Sequence, residues 1–172
     1  MTDYDVIVLG AGSPGEHCAG ALAEGGLRVA LVERELGGGE WSNWACIRSK
    51  TLLRLGETAM PRMTQPHRQR STSMLRSRGG TSMVSNYSDA GQERWLADNG
   101  ITLLRGTGRL TGPGSVDVDG VRHSANHVVL ANGADPVIPP IPGLRRLEGI
   151  WTNREVTGMK TLPRRRRSIG GT

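Results

Sequence analysis

Phenylalanine is absent from this 172-residue chain, and aromatic residues as a class make up only 3% of it. With an apolar fraction of 36%, that scarcity implies that part of the chain contributes nothing to a core. The length still suffices for one domain with at most a small appendage. Cysteine is nearly absent as well. Cys18 and Cys46 stand far apart with no framework spacing, which excludes a disulfide-stapled secreted scaffold. No apolar run approaches membrane length, and the start Met-Thr-Asp-Tyr-Asp has no basic leader. The expectation is a cytoplasmic protein without a membrane partner. The four histidines (His17, His67, His123 and His127) lack metal-ligand spacing, so no metal is expected. There are no internal repeats.

What the chain does carry is positive charge, glycine and one well-formed motif. Net charge is +6 and the pI is about 10.3, with much of the excess in 62–78 and in Arg164–Arg167. Four consecutive arginines can attract nucleic acid. A run this short reads more simply as solvated linker, so nucleic acid is not expected as a partner.

The motif lies at Tyr4 to Glu33. An apolar run, Val6-Ile-Val-Leu9, leads into Gly10-Ala11-Gly12-Ser13-Pro14-Gly15, then an Ala- and Gly-rich helix-length segment, then Val29-Ala-Leu-Val32 and Glu33. Each part answers a need of dinucleotide binding. Gly10 permits a tight turn, Gly12 lets a pyrophosphate approach the backbone, and Gly15 lets the helix pack against the sheet. The helix start offers N–H groups and partial positive charge to phosphates. Pro14 sits in the first helical turn, where a missing N–H costs little. Glu33 is placed to accept hydrogen bonds from ribose hydroxyls, and Arg34 follows it.

Further on, Leu36-Gly-Gly-Gly39 reads as a flexible loop. A helix is expected near Cys46–Arg54, with Ser49 as a cap. Residues 60–83 are rich in Pro, Gln, Ser, Arg, Met and Gly, with too few branched apolar residues to offset ordering entropy, and read as poorly ordered. Order returns near Asp89, with a helix at Ala90–Asn99 ended by Asn99-Gly100, and a strand at Ile101–Leu104. Asp119-Gly120 between Val116–Val118 and Val121–His123 signals a hairpin. His127–Leu130 reads as a buried strand leading into Ala131-Asn132-Gly133. Pro136–Pro142 must be extended, and Trp151–Glu155 begins a turn or short helix. The expected fold is α/β of the Rossmann type. Its parallel sheet is built from 4–9, 28–33, 101–105 and 127–131, and an antiparallel β-meander at about 107–123 crosses over one side.

Taken together, these blocks resemble the class I pyridine nucleotide-disulfide oxidoreductases, the family of dihydrolipoamide dehydrogenase, mercuric reductase and glutathione reductase. Gly38-Gly39-Glu40-Trp41-Ser42-Asn43-Trp44-Ala45-Cys46-Ile47-Arg48-Ser49-Lys50 is similar to the redox helix G-G-x-C-x-x-x-x-C-I-P-S-K. Gly106-Thr-Gly108 and Val128-Val-Leu-Ala-Asn-Gly133 resemble two further blocks, the latter similar to the flavin motif A-T-G. The resemblance implies an FAD-binding domain over 1–163, in which 58–86 is atypical. Gly10, Gly12, Ser13, Pro14 and Gly15 would take the pyrophosphate, and Glu33 and Arg34 the adenosine end. Gly38, Gly39 and Glu40 would lie along the dinucleotide, with Lys50 near the flavin. Gly108 would approach the adenine. Ala131, Asn132 and Gly133 would pass the cofactor again.

Three departures stand against that pattern, one of them the odd composition of 60–83, and Arg48 replaces the proline of the redox-helix motif. Trp41 occupies the position of the first redox cysteine, so Cys46 is left either as a flavin-adjacent thiolate or as an inert thiol. The second is that 164–172, with Ser168-Ile-Gly-Gly-Thr172, looks like the beginning of a nicotinamide-domain fingerprint. The resemblance therefore implies that NAD(P)H serves as reductant only if a further domain supplies its site, and that an exposed domain interface would favour a homo-oligomer. A truncated relative, with a shifted reading frame between about 58 and 86, accounts for both the composition and the endpoint. The competing reading is a non-catalytic fragment or a basic interaction protein without flavin.

Overall fold

The computed structural model describes residues 2–59, 85–159, 165 and 167–169. Its first strand, β1 (Tyr4–Leu9), alternates with a period of two between two covered faces. Val6 and Val8 point to one side, Ile7 and Leu9 to the other, and all four are buried. Strand β2 (Val29–Glu33) does the same with Val29 and Leu31 against Ala30 and Val32. Burial on both faces is why these strands read as continuous apolar runs.

The first face packs on helices. Helix α1 (Ser13–Glu24) brings Ala19, and α3 (Ala90–Asp98) brings Leu96, onto Val6, Val8, Val29 and Leu31. The two helices touch closely because Gly20 has no side chain. A Cβ there would lie 3.0 Å from the Trp95 ring. Helix α1 ends at Gly25, and Gly26 takes the left-handed conformation with φ 82°. The Leu27 N–H then closes back on the Leu22 carbonyl at 3.2 Å, satisfying a terminal acceptor.

The other face packs on the meander. Strands β4 (Gly108–Gly112) and β5 (Ser115–Val118) lead into β6 (Val121–Leu130), and Val116, Val118 and Ala125 meet Ile7, Leu9, Ala30 and Val32. The β5–β6 connection is the expected two-residue turn. Val118 pairs with Val121, and Asp119 and Gly120 both have positive φ, 48° and 91°, as a primed hairpin turn requires. With β3 (Thr102–Arg105), the order across the sheet is β3-β2-β1-β6-β5-β4. The first four strands run parallel, and β6, β5 and β4 run antiparallel. The α/β fold with a parallel core and an antiparallel meander is therefore as the sequence led us to expect.

Two local expectations change. The segments read as 121–123 and 127–131 are one ten-residue strand. Within it the Ser124 N–H and hydroxyl both donate to the Asp3 carboxylate, at 2.8 and 2.9 Å. Helix α2 (Cys46–Ala59) starts three residues before Ser49. The Ser49 hydroxyl donates back to the Cys46 carbonyl at 3.2 Å, so it sits inside the helix and does not cap it. A single π-helical turn, Glu40–Trp44, precedes α2 and closes through the Ala45 N–H on the Glu40 carbonyl at 2.7 Å. The expectation of disorder at 60–83 falls on 60–84, outside the described residues. Among the described residues no helix is long and apolar enough to cross a membrane.

A short helix, α4 (Asn153–Gly158), opens with a capping box in which Thr152 and Glu155 satisfy each other's end, as the T-x-x-E spacing allows. It covers α2 through Arg48, a residue with 0% exposure. Arg48 donates from Nε and Nη2 to the Thr157 carbonyl and lies 5.0 Å from the Tyr87 ring centroid. Its Nη1 has no hydrogen-bond partner among the described residues. Burial pushes the guanidinium pKa below its ordinary value, and Tyr87 opposes the shift.

Two outcomes follow from this packing. Ile7→Ala, at a fully buried site between β1 and the meander, should cost about 2–5 kcal/mol, read as a lower urea midpoint with unchanged slope. Arg48→Met should raise stability by about 1–4 kcal/mol, because a buried cation with no counter-charge among the described residues is replaced by an apolar side chain of similar length. A thermal melt checks it, at about 2–4 °C per kcal/mol for a chain of this size.

Candidate functional site

The C-terminal ends of the parallel strands converge where β1 has β2 on one side and β6 on the other. Such a reversal point is where open α/β sheets hold ligands. Here backbone meets backbone. The Gly10 N–H donates to the Val32 carbonyl and the Ala131 N–H to the Leu9 carbonyl, both at 2.8 Å. Gly10 has φ 104°, and a Cβ there would lie 2.4 Å from the Ala131 oxygen. A Cβ on Gly15 would lie 1.9 Å from the Gly10 oxygen. The glycines at 10 and 15 are therefore demanded by packing. Gly12 is different. Its φ is −71°, and among the described residues a Cβ there would meet only Pro14 Cδ, at 3.9 Å. Space is left open above the N-cap of α1, where the first-turn N–H groups have no intrahelical acceptors.

The loop 36–39 closes the other wall. Gly38 pairs with Gly12 as an isolated parallel bridge, and its N–H donates to the Ala11 carbonyl at 2.8 Å. The Gly37 N–H donates to Asp89 at 2.8 Å. The buried Asn43 amide donates to the Gly37 and Gly39 carbonyls at 2.9 and 3.2 Å. This loop, expected to be flexible, is tied to three other segments. Glu33 is also committed locally. One carboxylate oxygen accepts from the Ala11 N–H at 2.8 Å and the other from the Glu35 N–H at 2.7 Å, which leaves its remaining lone pairs for a ligand.

The other candidate residues are placed as follows. Ser13 and Pro14 form the first turn of α1. Arg34 reaches Asp135, beyond β6, at 3.6 Å. Glu40 opens the π-helical turn and pairs with Arg154. Ala131, Asn132 and Gly133 leave β6 beside Gly10, and Gly133 has φ 65° with open space around it. The side-chain position of Gly108 is filled by Leu9 and Val32, so packing accounts for that glycine. Lys50 and Cys46 are exposed on the first turn of α2. Cys46 and Cys18 are both free thiols. Trp41 is half exposed, while Trp44 stacks on Tyr87 at 4.7 Å. Among the described residues no group of His, Cys, Asp and Glu is arranged to hold a metal ion.

Sequence reasoning missed the arginines that hold the loop. Arg105, at the end of β3, pairs with Asp89 and Glu93 and donates to the Glu35 carbonyl. Burial raises the Asp89 pKa, but the Gly37 N–H and Arg105 outweigh it and hold the carboxyl below its usual value. Arg154, from α4, pairs with Glu35 at 2.9 Å and with Glu40. Only the capping box at Thr152–Glu155 marked that helix, and nothing in the sequence marked its partner more than a hundred residues away.

One acid is only partly compensated. An oxygen of Glu16, in the first turn of α1, is buried with no hydrogen-bond partner among the described residues. Burial pushes the Glu16 pKa above the ordinary 4.5, opposed by the Gly38 N–H and His17 and reinforced by Glu33 and Asp89. The folded chain therefore holds this proton to higher pH than the unfolded chain. Its stability falls as pH rises through that interval. Glu16→Gln should be more stable than the parent at neutral pH, and the difference should vanish below about pH 4.5; denaturant melts at several pH values check it.

The sequence matches the family described as Pyridine nucleotide-disulphide oxidoreductase over residues 4–171. It is 29% identical to a mercuric reductase of Staphylococcus aureus, across 98% of this chain and 32% of that protein. It is 30% identical to a dihydrolipoyl dehydrogenase of Acholeplasma laidlawii, across 98% of this chain and 53% of that protein. The fold superposes on the HOCl-induced flavoprotein disulfide reductase RclA from Escherichia coli with a TM-score of 0.79 and 27% identity. That match covers 93% of this chain and 35% of that one. The chain thus spans about a third to about half the length of these relatives. The family binds FAD, and this chain is related to the FAD-binding part of flavoprotein disulfide reductases. By sequence and by fold, the chain belongs to the pyridine nucleotide-disulphide oxidoreductase family.

Proposed function

We propose that this chain is an FAD-binding module that has lost the redox disulfide of its family. The observation that carries the reading is the opening above Gly12. Around it, glycines at 10, 15 and 39 press backbone on backbone, yet among the described residues a Cβ at Gly12 would meet only Pro14 Cδ at 3.9 Å. That is the shape a pyrophosphate needs at a helix N-terminus. In this reading the first-turn N–H groups of α1 take the phosphates, and Glu33 accepts from the adenosine ribose. The turn Ala131–Gly133 runs along the cofactor. Bound FAD supplies electron transfer; the protein supplies placement and the exclusion of water.

Trp41 stands five positions before Cys46, where the family pattern has its other cysteine. An indole cannot form a disulfide, so a dithiol cycle is not available to this pair. Cys46, exposed at the start of α2, is then a single thiol near the flavin end. NAD(P)H would act as reductant only where a nicotinamide domain is supplied. The exposed apolar residues beyond β6, Val137 at 87% and Leu147 at 64%, suit a surface covered by such a domain or by a second copy.

The test is a visible spectrum of the purified chain after adding FAD and desalting. Flavin bands near one equivalent per chain support the reading, and a colourless protein overturns it in favour of a fragment without flavin. Gly12→Val should cut FAD affinity at least about tenfold, which is 1.4 kcal/mol. Its thermal stability should stay within about 0.5 kcal/mol of the parent, since the added side chain enters open space.

A further inference from the structure

The walls of this cradle are unexpectedly acidic for a site that receives a polyanion. Glu33 ends β2, Glu35 and Glu40 stand on either side of the loop 36–39, Glu16 comes from α1, and Asp89 precedes α3. Each is handled differently. Asp89 is matched by Arg105. Glu33 is satisfied by two backbone N–H groups. Glu35 and Glu40 flank the Gly37–Gly39 turn and share one partner, Arg154.

Arg154 is built into that role. Its Nη1 donates to both Glu35 oxygens, at 3.2 and 2.9 Å, and its Nε donates to Glu40. Its guanidinium lies 5.3 Å from the Trp44 ring centroid. The neighbouring Asn153 amide donates to the other Glu40 oxygen at 2.9 Å. Two carboxylates thus meet one cation, and the trio carries one net negative charge. Gly39, adjacent to Glu40, is so close to Gly12 that a Cβ on it would sit 2.8 Å from the Gly12 Cα. The trio stands next to the opening where the phosphates are to bind.

We propose that Arg154 is an affinity- and specificity-determining residue of the cradle: by cancelling half of the charge of Glu35 and Glu40, it allows a pyrophosphate-bridged dinucleotide to approach a loop that would otherwise repel it. This inference rests on the FAD reading above. Arg154 acts on the ligand through the field at the cradle edge, so its effect depends on ligand charge and on salt. A purely structural role would show neither dependence.

The experiment titrates the intact chain with FAD, ADP and adenosine, at low and at high salt, following flavin fluorescence or heat of binding. Arg154→Met keeps an apolar stem over Trp44 and removes the charge. It should weaken FAD and ADP roughly tenfold at low salt, less at high salt, and leave adenosine unchanged. Adding Glu40→Gln to it should restore the parent affinity, because the trio then again carries one net negative charge. Glu40→Gln alone, which leaves Arg154 paired with Glu35, should tighten FAD and ADP severalfold. This second variant keeps the test decisive if Arg154→Met does not fold. Equal losses for ADP and adenosine, or no rescue on neutralising Glu40, overturn the charge role while leaving the FAD reading intact. A parent chain that binds neither FAD nor ADP overturns both.

Discussion

Everything at the strand ends depends on backbone lying against backbone. The start of α1, the turn after β1, the loop 36–39 and the turn after β6 approach to distances at which no Cβ fits on Gly10, Gly15 or Gly39. That contact seats the helix N-terminus on the sheet edge, aims its N–H groups outward, and brings the Ala11 N–H within reach of Glu33. Ala11 has no freedom to turn aside, since it also accepts from Gly38. The cradle is thus pre-formed, and a ligand would not have to pay for ordering it.

The electrostatics of the same region pull the other way. A helix N-terminus favours an anion, while five carboxylates surround it. The fold answers with arginines brought from distant points of the chain, Arg105 from the end of β3 and Arg154 from α4. The second of these ties the C-terminal helix to the turn that carries Trp41, Trp44 and Cys46. Trp44 takes part twice, stacking on Tyr87 and lying under Arg154, and its carbonyl accepts from the Thr157 hydroxyl at 2.7 Å. The geometry of the turn Glu40–Trp44 is therefore held from outside as much as by its own hydrogen bonds.

Much of the architecture was legible in the sequence because it is written in short-range terms. Glycine spacing and the run from Val6 to Leu9 gave β1 and the start of α1. Asp119-Gly120 gave the hairpin, and the apolar stretch from Val128 to Leu130 gave the last parallel strand. The misreadings share a physical cause, which is a local signal overruled by a distant partner. The segments 121–123 and 127–131 read as separate, although Ser124 between them is held by Asp3 from the other end of the chain. Leu36–Gly39 looked slack because its ties come from Asp89, Ala11 and Asn43. Ser49 looked like a cap because its hydroxyl is indifferent to whether it finds an N–H or a carbonyl. Arg48 and Arg154 could not be read at all, since nothing within their own neighbourhoods distinguishes a paired or buried arginine from a solvated one.

Strand β6 is common to both halves of the sheet. Its first part runs antiparallel to β5, from Val121 opposite Val118 to Ser124 opposite Ser115, and its second runs parallel to β1, from Ala125 opposite Tyr4 to Leu130 opposite Leu9. A one-residue slip turns every side chain of a strand to the opposite face. Here a single inserted or deleted residue would disturb the meander and the parallel layer at once. Length variation among descendants of this chain should therefore gather in the turns on either side of β6, whereas the strand itself behaves like a ruler whose length evolution cannot edit by one.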